Sequence, residues 1–347
     1  MRNPEQILLL KMDHIGDALW SFPAIASLRS AFPAAKIDML CTPYLAEAFR
    51  RVAELTQVME YDTAAPLSER RMVLRQLRRQ NYDVAIVLGP VDKVNHLAFL
   101  SGARERIGYF YSGNLLRSLT RRLFLTQGFP HPSDVAGKTG LPLPHEVTAM
   151  MSLVEKQGAS LLPNPQLIFP ITAEEKESAA AFLHKLLPEK RSFAALHLCA
   201  KSFSHGWTET AFSLLATRLQ EALPDIGWIV TAGPAEEPYL DSYRNALPVA
   251  GIPAVTGLNL SGMAAILSQL QLLISWDTGV VHLASAVGTP ILDIFPNKDF
   301  DYCIQRWGPW GKQGIALSQA TKTLDSAQIA VIVSAAIRIL DRSVSEN

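Results

Sequence analysis

Long apolar runs, rather than alternating ones, punctuate this chain. Ile7-Leu-Leu-Leu10 is unbroken and stops at Lys11-Met-Asp-His14, which reads as a strand buried on both faces and then a turn. From Asp17 the period becomes helical. Leu19, Phe22, Ile25, Ala26 and Leu28 fall on one side, and Pro33 ends the segment. Lys36–Leu40, Gln57–Glu60 and Asp83–Leu88 read as further strands, with helices between them that include the arginine-rich Ser68–Gln80. This alternation builds a parallel sheet covered by helices.

The alternation pauses across Tyr109–Pro144, which reads as loop. A helix that reads as polar, His145–Gly158, follows, and Leu161–Pro165 is the linker candidate. The pattern then restarts. Ser192–Leu198, Gly227–Thr231, Leu272–Ser275 and Pro290–Phe295 read as strands; Thr210–Leu223, Thr278–Val287 and Ser326–Leu340 read as helices. The expected organisation is an α/β chain of two Rossmann-like doubly wound domains, 1–165 and 166–325, with a terminal helix and tail at 326–347. Two such domains in tandem would face a central ligand cleft with the carboxyl ends of their strands.

A length of 347 residues favours two cores over one, and 48% apolar against 18% charged residues supplies them. Lys+Arg and Asp+Glu balance at 32 each, so no global field draws nucleic acid or membrane. Cys41, Cys199 and Cys303 are far apart and odd in number, which fits a reducing cytoplasm and offers no zinc spacing. No run reaches the ~20 apolar residues of a membrane span. The expectation is a soluble cytoplasmic protein whose membrane contact, at the inner face, is peripheral.

Four constellations carry chemistry. His14-Ile-Gly16-Asp17 lies between the first strand and helix, where Gly16 allows a tight turn or close approach and Asp17 is either a helix cap or a dipole-stabilised carboxylate. Asp277-Thr278-Gly279-Val-Val-His282 is again strand, turn and helix, with donors suited to an anion; Asp277 as a cap and His282 as a core residue remain open alternatives. Lys201-Ser202-Phe-Ser204-His205-Gly-Trp207 offers donors for a diphosphate leaving group without a metal, or is a solvated loop. Glu236, in Gly233-Pro-Ala-Glu, stands where it can take a ribose hydroxyl or favour a helix N-terminus. No GxGxxG spacing is present.

Basic residues gather in the first domain at Lys93, Arg104, Arg106, Arg117, Arg121 and Arg122, near Tyr109, Phe110 and Tyr111. They are an ordinary charged surface or a site for an anionic acceptor. Helical spacing turns Arg70–Arg79 to solvent, and no site is assigned there. Trp307 and Trp310 are a cleft wall or plain packing.

Together these residues resemble a known family. Leu-Leu-Leu-Lys-Met-Asp-His-Ile-Gly-Asp-Ala-Leu-Trp-Ser-Phe-Pro-Ala, from Leu8, looks like the N-terminal signature of family 9 glycosyltransferases, the lipopolysaccharide heptosyltransferases. Asp277-Thr-Gly-Val-Val-His-Leu-Ala-Ser-Ala-Val-Gly-Thr-Pro is similar to their C-terminal signature. The resemblance implies a GT-B architecture, inversion at the anomeric carbon, an ADP-heptose donor, and an anionic glycan or glycolipid acceptor bearing Kdo or heptose. It implies Asp17 as catalytic base, and Thr278, Gly279 and His282 as contacts to donor phosphate and sugar. Asp277 and Glu236 then contact donor sugar and nucleoside, with Lys201, Ser202 and His205 also at the donor. Gly16, Lys93, Arg104, Arg106 and Arg121 are the expected acceptor contacts; no metal or other cofactor and no nucleic acid is expected. The chain departs where the family has a lysine before the aromatic of the third motif: it reads Ser204-His205-Gly206-Trp207. The phosphate-neutralising role then falls to His205, to Lys201 or to neither. A sugar-nucleotide epimerase or hydrolase, and a catalytically silent sugar-nucleotide-binding homologue, are the alternative functions.

Overall fold

The computed structural model describes residues 4–89, 92–111, 123–233, 236, 251–311 and 314–345. The chain divides into two compact units between Leu167 and Ile168. Each unit contains one six-stranded sheet whose strands all pair in parallel.

In the first unit the strands are β1 (Gln6–Lys11), β2 (Lys36–Cys41), β3 (Gln57–Glu60), β4 (Val84–Val87), β5 (Glu105–Phe110) and β6 (Gln127–Pro130), in the spatial order β3-β2-β1-β4-β5-β6. In the second they are β7 (Ser192–Leu198), β8 (Ile226–Ala232), β9 (Ala254–Val255), β10 (Leu270–Trp276), β11 (Ile291–Pro296) and β12 (Gly314–Gln319), in the order β12-β11-β10-β7-β8-β9. Both orders reverse direction once, between β1 and β4 and between β7 and β10. At such a switch point the flanking helices leave toward opposite faces and open a crevice at the carboxyl ends of the strands.

The apolar runs fold this way because helices cover both faces. In the first unit Leu8, Leu10, Leu40, Ala85 and Val87 pack with Leu77 and Leu97 of the helices Leu67–Arg79 and Asp92–Leu100. In the second, Leu196, Val230, Leu272, Ile274 and Leu292 pack with Phe212 and Leu215 of the helix Glu209–Ala222 and Ile329 and Ile332 of the helix Ser326–Ser345. The terminal helix is thus part of the second core. Side chains alternate across a strand, so the other face of those strands presents Thr231, His197, Ser275 and Asp293, all buried.

The expected loop across Tyr109–Pro144 is corrected in part. It contains the edge strand β6, paired with β5 from Ile107↔Gln127 to Phe110↔Pro130, and the helix Pro132–Thr139. Gly128 and Pro130 hid the strand from a reading of β-branched runs, and an edge position tolerates them. The helix expected to be polar, Glu146–Glu155, is largely buried through Val147, Met150, Met151, Leu153 and Val154.

One polar contact ties the first sheet together through its core. Tyr82 Oη donates to Asp38 Oδ2 at 2.7 Å, and both residues are buried. Removing the hydroxyl strands a buried carboxyl, which typically costs about 1–3 kcal/mol. Tyr82→Phe is therefore expected to lower stability by that amount in urea titration. An unchanged midpoint would mean that Asp38 finds another partner.

Candidate active site

In the second unit, the switch point is bridged by charge. β7 ends at Leu198 and leads into the short helix Ala200–Ser204, while β10 ends at Trp276. Lys201 Nζ reaches across to donate to Asp277 Oδ2 at 2.8 Å and to the Asp277 carbonyl. Asp277 Oδ1 lies 3.6 Å from Nε2 of the buried His282. Burial works against the Asp277 charge, yet the His282 contact and the Lys201 charge hold its carboxyl below the usual carboxylate range. Asp277 is therefore an ionised hub, not a cap.

The cap position of the helix Gly279–Val287 belongs to Thr278, whose backbone is extended and whose side chain makes no capping hydrogen bond. The first-turn N–H groups of that helix begin beside Asp277 and Lys201, a setting that favours a phosphate oxygen. His205 stacks on the fully buried Trp276 with ring centroids 4.2 Å apart. Its Nδ1 donates to the Lys201 carbonyl at 2.7 Å, which fixes that nitrogen as protonated. The ring thereby anchors the turn that carries Lys201.

Two expected donor contacts change. Ser202 is fully buried, and its hydroxyl meets Cys199 Sγ at 3.3 Å, so it is packing and not a free donor. Glu236 accepts from the Ala200 N–H at 3.2 Å, and its carboxylate lies so close to Gly233 that a Cβ there would come within 2.7 Å of Oε2. One of its oxygens is thus committed to the Lys201 helix.

Asp293 went unnoticed in the sequence. It is fully buried on β11, beside Ser275 of β10, and neither carboxyl oxygen has a hydrogen-bond partner among the described residues. Burial and the nearby Asp277 charge raise its carboxyl well above the usual range, with Lys201 only partly opposing them. The available signal was one acid inside the apolar run Ile291-Leu-Asp-Ile-Phe295. Level with it on the same face, His197 pairs with Thr231 Oγ1 at 2.9 Å, and burial lowers the imidazole to about 4, so it is neutral near pH 7.

In the first unit the helix Ile15–Trp20 follows β1, with His14 at the cap position. Asp17 is therefore not the cap; it stands half-buried in the first turn, where the helix dipole favours its charge. Gly16 is buried within that turn and has no left-handed backbone, so of its two expected uses, a tight turn or close approach, the left-handed turn is not the one taken. Below them lies a pair the sequence did not announce. Buried Lys11 donates to Asp13 Oδ2 at 3.0 Å, at the carboxyl ends of β1 and β4. Gly89 (φ +147°) fits against it because a Cβ there would stand 3.1 Å from Asp13 Oδ2 and 3.2 Å from Lys11 Nζ.

The expected acceptor arginines do not join that end of the sheet. Arg104 precedes β5 and pairs with Asp83, just before β4, at 3.2 Å; Arg106 is the second residue of β5. Arg106 is spent on the carbonyls of Phe124 and Ala103 at 2.8 Å each. Both arginines thus sit at the amino ends of the strands, opposite Asp17. The Lys93 side chain and Arg121 lie outside the described residues, as do Arg117 and Arg122. Of the tryptophans left open, Trp307 packs its ring under Arg306, and the Trp310 carbonyl accepts from Ser285.

Two parallel doubly wound units with polar crevices at their switch points define the GT-B fold, and solved structures agree. A family 9 glycosyltransferase from Veillonella parvula DSM 2008 superposes with a TM-score of 0.80 at 18% identity, covering 97% of each chain. An Escherichia coli heptosyltransferase solved with ADP gives 0.74 at 19% identity, covering 96% of this chain and 99% of that one. Lipopolysaccharide heptosyltransferase 3 of Escherichia coli is 22% identical over 310 residues, 86% of this chain and 85% of its own. The profile of glycosyltransferase family 9 (heptosyltransferase) matches residues 70–330, and the chain belongs to that family.

Asp293 has a consequence for stability. Its folded carboxyl is raised above its unfolded value near ~3.9, so its protonated form favours the folded state. Its contribution is greatest below the unfolded pKa and declines as pH rises toward the folded one. Asp293→Asn cannot ionise. Urea unfolding from pH 4 to pH 8 should show the variant's stability relative to wild type growing with pH; a constant difference would mean that Asp293 titrates alike in both states.

Proposed function

We propose that this chain is an inverting, metal-independent heptosyltransferase of lipopolysaccharide-core assembly, moving heptose from ADP-heptose to an anionic glycan acceptor. Its family membership supports sugar transfer. Its relatives, a lipopolysaccharide heptosyltransferase and a heptosyltransferase solved with ADP, support the donor and the pathway. The single observation that carries the reading is the Lys201–Asp277 pair, which sets a cation and an ionised carboxylate at the N-terminus of the helix Gly279–Val287.

In this reading the donor diphosphate lies against the first-turn N–H groups at Thr278 and Gly279, and Lys201 offsets its charge. Asp277 and His282 receive hydroxyls of the donor sugar, and the remaining oxygen of Glu236 a hydroxyl of the nucleoside. Asp17 takes the proton of the acceptor hydroxyl as that oxygen bonds to the anomeric carbon. The bond from that carbon to the diphosphate breaks on the opposite side, and ADP departs with the electron pair. Charge growing on the diphosphate is met by fixed donors, which is the larger part of such catalysis. Lys201, not His205, takes the role of the family lysine: its ammonium already faces the crevice, while the His205 Nδ1 proton is committed to the Lys201 carbonyl.

Asp17→Asn should leave ADP affinity intact and lower turnover by ~10²-fold or more, the usual worth of a positioned base. Full turnover in the variant would reduce Asp17 to a structural residue. Assays with excess EDTA should match those without it; activity lost to the chelator and restored by magnesium would overturn the metal-free reading.

Titration calorimetry with ADP separates the two cations. Losing one charge-assisted hydrogen bond of about 1.5–3 kcal/mol predicts a roughly 10–100-fold weaker complex for Lys201→Ala, against a small change for His205→Ala. The opposite ranking would hand the role to His205.

A further inference from the structure

The arginines that the transfer reaction leaves unused have a pattern of their own. Residues 67–124 contain ten arginines and Lys93 against four acidic residues, a net of +7 in a chain whose total is zero. The helix Leu67–Arg79 carries five of those arginines. Arg70 is held by Tyr61, and Arg78 donates to the Leu100 carbonyl at 2.8 Å. Arg71, Arg75 and Arg79 are exposed, and none has an acidic partner among the described residues.

Those three stand at i, i+4 and i+8 on one face, directly opposite buried Leu77. Like charges at that spacing repel and weaken a helix, so the stripe works against the fold unless something anionic covers it. The same face exposes large apolar side chains, Leu67 at 61% and Met72 at 62%. Through Arg78 and Leu100 the surface continues to Phe99, 46% exposed, over which Arg106 lies at 5.6 Å, and to Leu123, 66% exposed.

We infer that this face is a docking surface for an anionic phospholipid bilayer. Arginines attract the lipid phosphates, and the side chains between them enter the headgroup layer. The interleaved apolar side chains favour lipid over nucleic acid, because a phosphate backbone gives Leu67 and Met72 nothing to enter. None of the described helices is long and apolar enough to cross a membrane, so contact of this kind would be peripheral. The inference goes beyond sugar transfer and does not depend on it.

Vesicle co-sedimentation of the full chain tests it, with phosphatidylglycerol–phosphatidylethanolamine vesicles compared with phosphatidylcholine alone. Wild type should partition to the anionic vesicles, and the binding should fade as salt rises. Each arginine near such a surface is worth about fivefold in partition, so Arg71→Ser/Arg75→Ser/Arg79→Ser should bind roughly a hundredfold more weakly. The triple variant relieves the repulsion on its helix, so its melting temperature and ADP affinity should not fall. Equal binding to both vesicle types, or undiminished binding by the triple variant, would overturn the inference. So would a wild type that ignores anionic vesicles while retaining a single-stranded RNA oligonucleotide.

Discussion

At the switch point of a doubly wound sheet, the helices after two neighbouring strands depart to opposite faces, and the strand ends between them lie uncovered. Everything chemical in this chain depends on that gap. Both sheets set a lysine and an aspartate there, in the first unit both from the end of β1 and in the second from the segments that follow β7 and β10. Lys11 and Asp13 occupy it in the first unit, Lys201 and Asp277 in the second. Taking a charge out of water is offset only by good geometry and further partners, and in the second unit the charge so buried is Asp277, since the Lys201 side chain is half exposed. In the second unit those partners are present, since Asp277 also meets His282 and Lys201 also holds the Asp277 carbonyl.

That arrangement sets the electrostatics of its neighbourhood. One ammonium serves two carboxyls, and they divide into an Asp277 at the crevice whose charge is favoured and an Asp293 in the core behind it whose burial favours the protonated form. Two negative charges so close, one of them without hydrogen bonds, would be costly in a poorly solvated interior. The division leaves a single anion beside the helix N-terminus, already balanced by Lys201. An arriving diphosphate therefore meets donors and a cation, not a net negative surface.

The two ends of the first sheet have separate work. Its carboxyl ends hold the Lys11–Asp13 pair and lead into the turn with Asp17. Its amino ends hold Arg104 and Arg106, bound to Asp83 and to backbone carbonyls. A parallel sheet enforces this, because every strand starts at one edge and every crossover returns to it. Arginines close in sequence to strand starts cannot reach a ligand at strand ends, whatever their charge suggests.

The sequence by itself determined the elements with the strongest local signals. Apolar runs such as Ile7–Leu10 and Phe193–Leu196 specify doubly buried strands, and the periodic segments after them specify helices, because backbone geometry imposes those periods locally. The signatures around Asp17 and Asp277 were legible for the same reason: strand, turn and helix are contiguous in the chain. Weak or edge elements were not. β6 reads Gln-Gly-Phe-Pro and is a strand only because β5 lies beside it. Burial of the helix Glu146–Glu155, the inward turn of Ser202, and the isolation of Asp293 were likewise decided by what packs around them. So was the choice of Lys201 over its neighbours as the partner of Asp277, which lies 76 residues away in sequence and was brought to it by the pairing of β7 with β10. Local periodicity fixes what each segment becomes. Only the order of strands in a sheet decides which charges share a crevice.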